Sequence, residues 1–247
     1  MPPQGFKTGR LQSAPEKLAR RLWMGDYLTL PPVPVSVSHA AIGEPWGMLG
    51  NDSVGDCTCA AVGHAEQIVS QYALKKPSTV TTAQILAAYN AVTGYRPGDP
   101  STDQGANMLD VLSYWQHHGV GGVKCGPYVA FDPKNVGHWK AAIYLFGFAY
   151  IGVSLPDRIV NALPSVVSWT GTTGMPDPGN GHCVAVSGYS STYAHPVTWA
   201  KYISMSWAFA AKYADECYAV AVPQWAGGNP AGLNWTQLQA DLAALRR

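Results

Sequence analysis

The chain has 247 residues, 47% of them hydrophobic and 13% charged, with a net charge of +1. That is enough apolar material for one large domain or two lobes sharing a core. It excludes a disordered chain and a strongly basic nucleic-acid binder.

The first residues, Met1-Pro2-Pro3-Gln4-Gly5, lack an apolar core segment and predict no secretory signal. Residues 1–40 read as an arm. Ser13-Ala14-Pro15-Glu16 fits a capping box opening a short helix with Leu18 and Leu22 on one face and Gly25 after it. That helix packs either on its own domain or on a neighbouring subunit, so a protein partner or homo-oligomer through residues 1–40 is one expectation. Pro31-Pro32-Val33-Pro34-Val35 follows as an extended connector.

Helical spacing dominates a predicted helical lobe over residues 41–130. Ala61, Ala65, Ile68 and Tyr72 share one face of a helix starting at Cys57. Thr82 caps a second helix carrying Ile85, Leu86 and Tyr89, and Asn107 opens a third with Met108, Val111, Leu112 and Trp115 inward. Lys134 to Phe146 forms a fourth. Residues 131–247 then read as a β-rich lobe. Phe148–Leu155, His182–Tyr189, Trp199–Trp207 and Glu216–Val222 are rich in strand formers, and Thr236–Arg247 suggests a C-terminal helix. The longest apolar stretch, Ala141–Leu155, holds two glycines and is too short to span a membrane. The layout is α+β.

Two residues carry the candidate chemistry. Cys57 lies where the glycine-rich turn Gly55-Asp56 gives way to a helix, and the unpaired N–H groups and positive dipole end there favour thiolate. His182 opens the apolar strand His182-Cys183-Val184-Ala185-Val186 after a turn-rich loop, at the mouth of a cleft. Cys57, Cys59, His64, Cys125 and Cys183 have the wrong spacing for zinc, so no metal and no cofactor is expected. Five cysteines in a chain read as unexported point to reduced thiols, and to a cytoplasmic or virion-associated location.

These residues and their order resemble the papain-like cysteine peptidases over most of residues 44–222. Asn51 lies where that family carries its oxyanion glutamine, and Gly55-Asp56-Cys57 where it carries glycine, a small residue and the nucleophile. Asp103-Gln104-Gly105-Ala106-Asn107 resembles the substrate-binding segment, and His182 heads the strand ending Gly188-Tyr189. Ile203-Ser204-Met205-Ser206-Trp207 resembles the strand bearing the orienting asparagine before Ser-Trp, with Met205 in the asparagine's place.

The resemblance implies a two-lobed fold with the site between a helical and an antiparallel β-rich lobe. It implies a Cys57–His182 pair that cleaves peptide or amide bonds. Asn51 would hold the oxyanion, and Gln104, Gly105, Ala106, Gly181 and Trp207 a peptide-like substrate. A methionine at position 205 cannot orient an imidazole by hydrogen bonding. Two readings therefore stand: a thiol hydrolase, or an eroded scaffold used for binding or assembly, as in a phage virion.

Overall fold

The structure, a computed structural model, describes residues 5–40, 46–76, 78, 80–165, 168–225, 236–237 and 240. In chain order the elements are β1 (Arg10–Leu11), α1 (Pro15–Ala19), α2 (Met24–Tyr27), β2 (Val37–Ser38), α3 (Cys57–Leu74), α4 (Thr82–Thr93), β3 (Ala106–Asn107), α5 (Met108–His117), β4 (Tyr128–Ala130) and α6 (Val136–Phe146). There follow β5 (Ala149–Ser154), α7 (Asp157–Asn161), β6 (Ser168–Trp169), β7 (Gly181–Tyr189), β8 (Tyr193–Thr198), β9 (Lys201–Tyr202), β10 (Ser204–Ser206), α8 (Trp207–Tyr213) and β11 (Ala214–Val220). The helix expected over Thr236–Arg247 lies almost wholly outside the described residues.

The main sheet runs β4-β11-β5-β7-β8-β10-β6, with β2 added to β7 and β9 to β8. It is mostly antiparallel; among the described residues only β10 and β6 pair in parallel within it. Helices cover both of its faces, so its central strands read as nearly continuous apolar runs. On β7, Val184 and Val186 join a core with Trp139, Ile143, Trp169, Met205 and Phe209. Cys183 and Ala185 face the other way, into a core with Ala61, Ile68, Ile85, Leu112 and Trp115. Helix α3 lies on that second face with its N-terminus towards the start of β7. The result is the two-lobed arrangement that the resemblance implies.

Local signals set the helix ends. Asn107 caps α5 through the Asp110 N–H and Asn135 caps α6 through the His138 N–H. For α4 the cap is Thr81, one residue before the expected Thr82, in a capping box with Gln84. The expected box at Ser13 does not form. Ala14 caps α1 without a side-chain bond, and Ser13 Oγ instead donates to Glu216 Oε1 at 2.7 Å across the fold.

The arm stays on its own chain over its described length. Met24 and Leu28 enter the first core, Tyr189 donates its hydroxyl to the Pro34 carbonyl, and Val37–Ser38 pairs with the end of β7. The predicted strand Trp199–Trp207 is broken up. A tight turn at Trp199-Ala200 separates β8 from β9, and Trp207 already begins α8.

Met205 lies in the middle of β10, paired with Ala194 and Trp169 and fully buried in the first core. Truncation there leaves a cavity. Met205→Ala is expected to destabilise the fold by about 2–5 kcal/mol, measured by urea unfolding.

Candidate active site in the cleft

Cys57 is the first residue of α3, so its N–H is one of the helix's unpaired donors. Its sulfur faces two backbone N–H groups, those of Cys183 on β7 and Arg10 on β1. Next to Cys183, His182 is buried. Its Nε2 pairs with Thr198 Oγ1 at 2.7 Å, and its ring stacks on Trp199 with centroids 4.1 Å apart and planes 19° apart. The β7–β8 register, Ala185 opposite Val197, puts Thr198 on the same face as His182 and one pleat away. His182 Nδ1 is buried without a hydrogen-bond partner among the described residues. The imidazole is thus fixed on one edge and free on the other.

The hydrogen-bond partner of the imidazole is thus Thr198 rather than Met205, and the tryptophan stacked on it is Trp199. Trp207 is away from the cleft: its Nε1 donates to the Ser190 carbonyl and its ring meets Trp139 edge-on. Trp199 and Ala200 both have positive φ, 46° and 58°, in the two-residue connection between Thr198 and Lys201. Such tight hairpins demand this conformation, and they ordinarily recruit Asn-Gly. A tryptophan held there is strained backbone beside the His182 ring.

The cleft is occupied by the chain itself. Residues 7–11 run through it as an extended peptide. Gly9 donates its N–H to the Gly181 carbonyl (3.0 Å), and its own carbonyl accepts from Ala106 N–H (2.9 Å), so one residue bridges both lobes. Beyond it, Arg10 and Leu11 pair in parallel with Ala106 and Asn107. Lys7 donates its N–H to the Asn51 carbonyl and accepts from Trp199 Nε1. Only glycine fits at the crossing: a Cβ on Gly9 would overlap the Gly55 carbonyl oxygen, and one on Gly181 the Arg10 carbonyl oxygen. Three of the expected substrate-binding residues, Gly105, Ala106 and Gly181, thus touch this peptide. Gln104 lies on the rim, its side chain turned to the Ser101 carbonyl.

Asn51 lies in the turn before α3. Its Nδ2 donates to the Val54 carbonyl at 3.1 Å, and no hydrogen bond joins it to Cys57. Asp103, at the head of the expected substrate-binding segment, and Tyr89, not foreseen at the site, brace the floor. The Asp103 carboxylate accepts from Gly55 N–H and from the Tyr89 hydroxyl, which in turn accepts from Gly105 N–H. Two glycine loops are thereby locked to α4.

The electrostatics overturn the expectation of a preformed thiolate. Burial pushes the Cys57 thiol from its ordinary 9.0 up to about 12, although the Cys183 and Arg10 N–H groups oppose the rise. That rise corresponds to about 4 kcal/mol against the thiolate, whereas a helix terminus supplies ~1 kcal/mol. Burial wins. It also pushes His182 down to about 3, helped by the charges of His64 and Arg10. With the arm in place Cys57 is a thiol and His182 a neutral imidazole. His64 is buried, pushed down to about 4 by burial, with Nε2 on the Gly47 carbonyl, and takes no part in a metal cluster; none exists among the described residues.

The fold is shared with solved cysteine proteases. Xylellain from Xylella fastidiosa superposes with a TM-score of 0.67 at 14% identity, covering 88% of this chain and 96% of its own. A recombinant stem bromelain precursor gives 0.55 at 12% identity, over 88% and 84% of the two chains. The Carica candamarcensis protease CMS1MS2, solved with E-64, gives 0.52 at 16% identity, over 76% and 98%. No protein-family model and no curated protein matches the sequence. The chain has the papain-like fold.

Two outcomes follow for the occupied cleft. Iodoacetamide at pH 8 is expected to label native Cys57 at least ~10-fold more slowly than a free thiol, read by mass spectrometry. Acid acts through His39, His64 and His182. Their folded pKa values lie below that of an unfolded imidazole, near 6.5, so the unfolded chain binds more protons as pH falls. Their contribution to stability is retained above pH 6.5 and lost as pH falls towards 4 and then 3. His182→Gln is expected to flatten the dependence of Tm on pH in that window.

Proposed function

We propose that the chain is a thiol hydrolase of peptide bonds that its own N-terminal arm holds latent. The observation that carries this reading is the peptide of residues 7–11 lying across Cys57, hydrogen-bonded through its main chain to both lobes. A cleft that holds one extended peptide through main-chain hydrogen bonds to both lobes, with glycine at the crossing, is a peptide-binding cleft.

The arm is held uncut by its placement. An N–H of Arg10 faces the sulfur, and the Gly9 carbonyl is turned to Ala106. With the arm displaced, water reaches Cys57 and His182, and the desolvation that keeps both neutral is relieved. His182 Nδ1 then accepts the thiol proton, while Thr198 at Nε2 and the Trp199 face hold the ring in line. The thiolate attacks the substrate carbonyl carbon. The Cys57 N–H and the second hydrogen of the Asn51 amide stabilise the oxyanion. His182 next protonates the leaving amine, and water attacks the resulting thioester to free the acid and restore the thiol.

A second reading is favoured by one observation, the filled and fully desolvated site: a scaffold for binding or assembly that never opens. The two differ in what arm release does. Gly9→Ala cannot keep the arm between Gly55 and Gly181, so this variant is expected to label at Cys57 at least ~10-fold faster and to cleave peptide amides. Cleavage should vanish in Gly9→Ala/Cys57→Ala and fall about 10²-fold in Gly9→Ala/Thr198→Ala, less than the ~10⁴ that a charged orienter is worth. A released chain whose Cys57 alkylates readily yet cuts no peptide would sink the hydrolase and leave the scaffold.

A further inference from the structure

The side chain of Arg10 does not follow the cleft. It turns down into a pocket of the body, where its guanidinium is completely buried. Nη2 meets Asp215 Oδ2 at 2.7 Å and Ser154 Oγ at 3.4 Å, and Nη1 meets Glu216 Oε2 at 3.5 Å. Glu216 is itself buried and held in place: its Oε1 accepts from Ser13 Oγ and from the Tyr218 hydroxyl at 2.6 Å. Ser154 Oγ donates to the same Asp215 oxygen at 2.6 Å. The stem is accommodated because residue 152 is glycine. A Cβ there would come within 2.6 Å of Nη1 and 2.9 Å of Cδ.

A buried guanidinium is costly unless matched by charge and hydrogen bonds, and a buried carboxylate equally so. The walls of this pocket belong to β5 and β11, not to the arm. When residues 7–13 leave, Asp215 and Glu216 stay behind, two carboxylates on one wall without the guanidinium that matched them. Arg10 is also the residue whose N–H faces the Cys57 sulfur, so the pocket opens directly beside the reacting atom.

We infer that the Asp215–Glu216–Ser154 pocket is a specificity pocket, and that the peptides this cleft takes in place of the arm present an arginine side chain to it. The inference rests on the proposed peptide-binding role of the cleft and names its substrate class. Arginine is favoured over lysine because a planar fork reaches Asp215 and Glu216 through different nitrogens, which a single ammonium on a stem of this length does not.

The pocket can be read without hydrolysis. In full-length Arg10→Ala the pocket is empty, and Tm is expected to fall by about 4–8 °C or more. About 10 mM ethylguanidinium should recover at least half of the loss by binding the native state, while ethylammonium recovers little and Arg10→Ala/Asp215→Asn recovers nothing. No recovery, equal recovery with ethylammonium, or recovery that survives Asp215→Asn would each overturn the inference. Should Arg10→Ala not fold, Gly9→Ala/Cys57→Ala serves, with a fluorescent hexapeptide carrying one arginine and its norleucine counterpart. At least ~10-fold tighter binding of the arginine peptide, abolished by Asp215→Asn, supports the pocket; equal binding, or none, overturns it. Arginine-selective binding by a chain that cuts nothing would refute the hydrolase and keep the pocket.

Discussion

Everything at this site depends on how close the two lobes come at Gly9. One residue takes a hydrogen bond from β3 and gives one to β7, with its Cα against the backbone of the turn that precedes Cys57. That closeness removes water from the sulfur and the imidazole together. Desolvation then outweighs the helix terminus and the neighbouring N–H groups that favour the thiolate. The neutral state of Cys57 and His182 therefore follows from burial more than from the residues beside them.

The support beneath the cleft is arranged to keep that geometry. Tyr89 and Asp103 tie the two glycine loops together, and Thr198 with Trp199 fixes His182 from the other lobe. The arm is anchored from its side chains as well as its backbone, through Arg10, Gln12 and Ser13 on the paired acids of β11. The buried ion pairs contribute specificity of placement more than stability, since partners withdrawn from water regain in attraction roughly what they lost in hydration.

The sequence made the local half of this legible. Helical period and a glycine-rich turn put a helix start at Cys57, and an apolar run bounded by turn residues put a strand at His182. The cap at Asn107 follows the same short-range logic, and the cap of α4 falls at Thr81, one residue before the expected Thr82. What failed was non-local or disguised. Ser13 has the look of a helix cap, but its hydroxyl is taken by Glu216, a partner no window of neighbouring residues contains. Thr198 stayed hidden because Trp199-Ala200 turns the chain without any turn signature, so the strand appeared to begin where it ends. Two tryptophans follow hydroxyl residues, at 198–199 and 206–207, and the resemblance attached itself to the second. The better signal lies in the hairpin itself: the strand directly after the histidine strand is the one that can reach across to it. Arg10 gives no sign at all in the sequence, since its pocket is built from residues some 140 and 200 positions away.

The indole of Trp199 joins two otherwise separate parts of the molecule. Its face lies on His182, and its nitrogen donates to the main chain of Lys7, with Phe6 edge-on against the ring. When the segment ahead of Gly9 leaves, that indole loses its acceptor and its aromatic neighbour and meets solvent. Its emission then shifts to longer wavelength. The molecule thus carries its own optical gauge of cleft opening, seated against the His182 imidazole.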